Sequence, residues 1–183
     1  GQASSHIGYG PRWAEVSMTP FLGFKGNVNQ GGVLSPAFVS HSKFAQQEGI
    51  YRGYVSVLDI VPTLLELAEV EPVAPAGKFS PQGQSLVPLL TGVEEAVHPK
   101  DHVSAVELFN RRSVRKGDWK LIEFFEEGKL ELYDLKKDPG QLVNVAADPA
   151  YAKTVKSLKG QLFAELKKTG GPRVTGKGPD FDK

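Results

Sequence analysis

Trp119-Lys120-Leu121-Ile122-Glu123-Phe124-Phe125, then Glu126-Glu127-Gly128, then Lys129-Leu130-Glu131-Leu132-Tyr133-Asp134-Leu135 is the stretch that decides the fold. Trp119, Leu121 and Glu123 alternate with Lys120, Ile122 and Phe124. Leu130 and Leu132 alternate with Lys129, Glu131 and Tyr133. A period of two is that of a strand. The short loop between these runs ends in Gly128, a residue free to take a positive φ. Working backward, Lys116-Gly117-Asp118 reads as another turn, and Arg112–Arg115 and Val103–Phe109 as two more strands. Consecutive strands joined by tight turns run antiparallel.

Working forward, Asp138-Pro139-Gly140 is a turn, and Asp148 followed by Pro149 is an N-cap and first helical residue. Val155, Leu158, Leu162 and Leu166 recur at three- and four-residue steps, with Lys153, Lys156 and Lys159 on a face that reads as solvated. Gly170-Gly171-Pro172 ends the helix. Gly160 costs roughly 1 kcal/mol there relative to Ala, which suggests a close approach. The expectation for residues 101–170 is an α+β unit, a four-stranded antiparallel sheet packed by one amphipathic helix, with 171–183 an extended tail.

The front of the chain differs. Residues 1–35 are rich in Gly, Ser, Asn and Pro, with Tyr9, Trp13, Phe21 and Phe24 between, and read as a long ordered loop. Pro36–Ser40 reads as a short buried strand. Asp59 as N-cap and Pro62 in the first turn begin a helix carrying Leu64, Leu65, Leu67 and Ala68. Residues 71–100 read as connecting loops with one short helix over Gln84–Gly92, capped by Ser85. So little in residues 1–35 could nucleate a core that the chain reads as the later part of something larger.

Composition narrows the function. Across 183 residues, 22 Lys+Arg oppose 21 Asp+Glu, a net charge of +1, without the basic excess of a nucleic-acid binder. The absence of Cys excludes disulfides, thiolate metal sites and a Cys nucleophile from this chain. No apolar run approaches the length of a membrane span.

Several candidate sites fall to simpler readings. Gly171–Lys177 matches the start of a phosphate loop, but Gly178 stands where Ser or Thr should hold magnesium. His98 and His102 have metal spacing only on a helix, and Pro99 argues against one. His6 and His41 read as loop histidines. Lys25 is the exception. Among glycines it can bring a compact positive charge against an anion; on spacing alone the reading as an exposed loop lysine prevails.

Five segments, in order, carry a resemblance: Tyr9-Gly10-Pro11-Arg12-Trp13-Ala14; Thr19-Pro20-Phe21 with Lys25, Gly31-Gly32-Val33 and Pro36-Ala37; Val57–Ala68; Gln82–Gly92; and Val114–Ile122 followed by Glu131–Leu135 and Asp138–Gly140. Together they are similar to the type I sulfatases, particularly bacterial arylsulfatases, over the late catalytic domain and the C-terminal subdomain. The resemblance implies that residues 1–70 are the tail end of a large alkaline-phosphatase-like α/β domain. It implies sulfate-ester hydrolysis by a larger parent enzyme that uses a formylglycine beside calcium. Bacterial members are often exported. Neither the formylglycine motif nor the Asp-Asn pair completing the calcium site is found here, so the expected cofactors belong to the parent and none to this chain. Lys25 matches the lysine that contacts the sulfate, and Gly31 and Gly32 match the turn after it. Leu22 and Leu34 stand where bacterial arylsulfatases often carry Arg, a departure that bears on the aryl substrate rather than on sulfate-ester chemistry. The expected partner is a sulfate ester, reached through the missing domain, with no nucleic acid and no membrane span. Alone, the chain is expected to be inactive and, with apolar surface around Phe38, Val39, Leu64 and Leu65, to self-associate or to lack local order in residues 1–35. The alternatives are a stand-alone interaction module and a fragment of a related phosphoester hydrolase.

Overall fold

The computed structural model describes residues 8, 10–44, 49–71, 81–168 and 170. The chain divides into two units, one joining the front segment up to Pro36 to everything from Val103 onward, the other running from Ala37 to His102.

In the first unit, β1 (Val103–Leu108), β2 (Arg111–Lys116), β3 (Trp119–Phe124) and β4 (Lys129–Asp134) form an antiparallel sheet in sequence order. The register pairs Val114 with Leu121, and Leu121 with Leu132. Gly117 turns the β2–β3 hairpin at φ 56° and Gly128 the β3–β4 loop at φ 66°. Phe109 takes φ 53° in the β1–β2 turn, a conformation in which a two-residue hairpin matches the strand twist. Asp148 caps a short 3-10 turn, its side chain accepting from the Ala150 N–H, and α5 (Ala152–Lys168) follows.

Both faces of the sheet are covered. Val114, Leu121 and Leu132 meet Leu158, Leu162 and Leu166 of α5 on one face. Ile122 and Tyr133 pack with Val28 on the other. Each fully buried Leu or Val of this kind is worth about 1.5–3 kcal/mol. The expected solvated lysine face holds for Lys153 and Lys156 but not for Lys159, whose Nζ lies 2.9 Å from the buried Glu123 carboxylate. Gly160 makes no close approach, since a Cβ there would meet nothing within 4 Å. Gly160→Ala should therefore raise stability by about 1 kcal/mol, read as a higher denaturation midpoint with an unchanged slope.

The front segment is not loop throughout. Gly10–Met18 forms α1 and Gln30–Val33 the single turn α2. α1 buries no residue, and Trp13 is exposed. Pro36–Ser40 is not a strand and not buried: no neighbouring strand among the described residues offers it a ladder, and Phe38 is 93% exposed.

In the second unit, a 3-10 turn (Val57–Asp59) runs into α3 (Ile60–Leu67). The cap is Ser56, not Asp59. The Ser56 hydroxyl accepts from the Leu58 N–H, while Asp59 reaches back to the Ser56 N–H at 2.7 Å, a capping box that closes one turn earlier than the sequence suggested. Ile60, Val61 and Leu64 stay about half exposed. α4 (Val87–Leu90) is the short helix, begun by Ser85 accepting from the Val87 N–H and ended at Gly92 with φ 74°.

Candidate functional site

Lys25 stands on a loop whose backbone is fixed from both ends. The turn Phe24-Lys25-Gly26-Asn27 closes with the Asn27 N–H donating to the Phe24 carbonyl at 3.0 Å. Val28, fully buried, plugs the segment into the sheet. The Leu22 N–H donates to the Gly140 carbonyl at 3.2 Å. Arg111 on β2 donates to the Asn27 side chain, and its guanidinium lies over the Phe124 ring at 5.2 Å. The lysine itself is exposed at the tip.

Gly31 and Gly32 act through what they lack. α2 crosses the loop so closely that a Cβ on Gly31 would overlap the Gly23 carbonyl and stand 2.8 Å from the Leu22 oxygen. One on Gly32 would overlap the Asn27 carbonyl and stand 2.8 Å from the Phe24 oxygen. The Gly31 N–H donates to the Leu22 oxygen at 2.9 Å across the same contact. The pair forms a backbone-on-backbone seat holding residues 22–27 in place, the close approach that glycine permits.

The seat is tied to the sheet through buried amides. The Gln30 N–H donates to the Gln141 side-chain oxygen, and Gln141 sits at φ 59° in the left-handed region. The Lys120 Nζ donates to the Gln30 amide oxygen at 3.1 Å. Lys120 is 3% exposed. Burial first, and then the nearby charge of Arg115, push its ammonium down to about 7. Sequence reading singled out Lys25, Gly31 and Gly32 but not Gln30, Arg111, Lys120 or Gln141.

Among the described residues no three His, Cys, Asp or Glu gather to hold an ion. His98 instead donates from Nε2 to both Asp59 carboxylate oxygens at 2.9 and 3.0 Å, and its ring lies 4.2 Å from that of His102. Asp59 also accepts from the Gln84 N–H at 2.9 Å. Burial alone would raise the Asp59 carboxyl, but hydrogen bonds from Gln84, His98 and Ser56 hold it below its ordinary value. This carboxylate organises the second unit. His41 is exposed beside Phe44. His6 and the phosphate-loop-like run 171–177 lie outside the described residues.

The chain has relatives among known proteins. Residues 28–168 match the family model described as N-sulphoglucosamine sulphohydrolase, C-terminal. An uncharacterized sulfatase of Schizosaccharomyces pombe is 37% identical over 155 residues, which are 80% of this chain and 27% of the relative. A Delta 4,5-hexuronate-2-O-sulfatase of Bacteroides thetaiotaomicron is 37% identical over 105 residues, 52% of this chain and 20% of the relative. Among solved structures, a 2-O GAG sulfatase superposes with a TM-score of 0.51 at 30% identity, over 65% of this chain and 27% of that one. The chain thus spans about a quarter of the length of the relatives it matches.

Proposed function

We propose a role for this chain from what it is: it belongs to the sulfatase family and supplies the C-terminal portion of that fold. The larger enzyme hydrolyses sulfate esters to an alcohol or phenol and free sulfate, and Lys25 contacts the sulfate group. The observation that carries this reading is the glycine-seated loop. A loop so closely packed on its own backbone fixes the point from which one exposed lysine projects, and a cation presented from a fixed site stabilises charge building on sulfate oxygens more than one on a mobile loop does. Gly31 and Gly32 contribute backbone only. The hexuronate-2-O-sulfatase relative is named for a sulfated sugar, and we extend that substrate class to the parent of this chain.

In the parent, formylglycine beside calcium would supply the attack on sulfur. The part we assign to this chain is to hold the anion. The test has two arms. The 183-residue chain should show no turnover of a nitrophenyl sulfate with or without calcium. In the full-length enzyme, Lys25→Ala should lower kcat/KM by about 100-fold or more, the scale of losing one transition-state donor. Turnover by the chain alone above its own Lys25→Ala control, or an unaltered full-length variant, defeats the assignment. Exposed Phe38, Val39 and Leu64 also favour self-association of the isolated chain, which a monomeric light-scattering mass would contradict.

A further inference from the structure

Lys25 stands at one corner of the turn that runs from Phe24 to Asn27, and Gly26 at the next corner takes φ 98°. A positive value is what a turn of this kind requires at its third position. A lysine at a turn corner projects wherever the whole turn is aimed. The glycine seat packs against the carbonyls of Phe24 and Asn27. The Asn27 side chain is held from the sheet, by Arg111 at the start of β2.

Stability alone does not explain an arginine in that place. Arg111 is paired directly across from Phe124, and its guanidinium shares the Phe124 ring with the Lys129 ammonium, which lies 4.9 Å from the ring centre. The Arg111 Nε–H is buried and meets no acceptor among the described residues. An unmet buried donor costs free energy, and an apolar side chain of similar volume often replaces a buried cation at no loss of stability. What the guanidinium adds is a directed, charge-assisted hydrogen bond to the Asn27 amide oxygen. Its planar fork can lie on the ring and reach the amide at the same time, which an ammonium does less well.

We propose that Arg111 is a positioning residue of the parent enzyme, acting through Asn27 to aim the turn so that the Lys25 ammonium meets the sulfate. The proposal rests on the reading of Lys25 given above and adds to it the device that sets the aim. Arg111 acts on the reaction only by way of Lys25, so its removal has a signature that general weakening of the fold lacks.

The experiment is a double-mutant cycle in the full-length enzyme, with kcat/KM measured on a nitrophenyl sulfate for Arg111→Met, Lys25→Ala and the two combined. Met keeps a long chain against the Phe124 ring and removes the donor, so this variant should fold. The expected result is a loss of about tenfold for Arg111→Met, since small misplacements of a reacting geometry carry losses up to about 100-fold. Added to Lys25→Ala, the same substitution should cost less than about twofold more, because residues acting as one unit are not additive. Asn27→Ala breaks the same hydrogen bond from the loop, where the residue is only partly buried, and should repeat the pattern; it decides the matter if Arg111→Met folds poorly. Full activity in either well-folded variant, or an equal loss with and without Lys25, overturns the proposal and leaves the Lys25 assignment standing. Full activity in Lys25→Ala overturns both.

Discussion

The chain will become more stable as pH rises from about 7 toward 10, by up to about 5 kcal/mol. The cause is Lys120, buried in the sheet with its ammonium lowered to about 7 from an ordinary value of 10.5. Below pH 7 both the folded and unfolded chains carry the proton, and the folded one bears the full cost of burying it. Between 7 and 10.5 the unfolded chain holds more protons, so raising the pH favours the fold. Tyr133 works against this at the alkaline end. Burial and its hydrogen bond to Glu131 push its phenol up, so above about pH 10 the unfolded state gains by ionising. A maximum near pH 10 is the expected profile. Denaturant titrations at unit pH steps would trace it. Lys120→Met should raise stability at pH 6 and flatten the profile. Gln30→Glu, which puts a carboxylate against the same ammonium, should restore the ordinary lysine value and also flatten it. A flat profile in the unaltered chain would refute the buried charge.

The second large effect concerns the seat beneath Lys25. Gly31→Ala and Gly32→Ala should each cost about 3 kcal/mol or more, because the added methyl has backbone rather than flexible side chain in its way. For a chain of this size that corresponds to a fall in Tm of roughly 10 °C. Gly160→Ala is the internal control: the same chemical change, at a helical site with open space, has the opposite sign. If all three variants melted alike, the close crossing of α2 over residues 22–27 would be wrong.

The sheet and α5 were legible because their signals are local. Alternation in 119–124 and 129–134, glycine at the turns and an Asp-Pro helix start depend only on near neighbours. Lys25, Gly31 and Gly32 stood out through residue type and family likeness. What was hidden depends on partners far along the chain. Nothing near Asp59 announces His98, 39 residues away, so its carboxylate read as a cap while Ser56 did the capping. Nothing near Lys120 announces Gln30, 90 residues earlier. Gly160 was misread for a related reason: helix propensity records what the glycine costs but not whether anything stands beside it. The strand expected over 36–40 failed because apolar character makes a segment eligible for a ladder without supplying the other rail.

The hydrogen bond from Gln30 to Gln141 joins residues 111 positions apart. A ribosome adds about 5–20 residues per second, so the loop bearing Lys25 leaves the exit tunnel roughly ten seconds before the surface it rests on exists. For that interval, loop closure gains nothing to offset its entropy. The ammonium comes to its station only after the meander behind it has been translated, although its own codon is read before those of the meander.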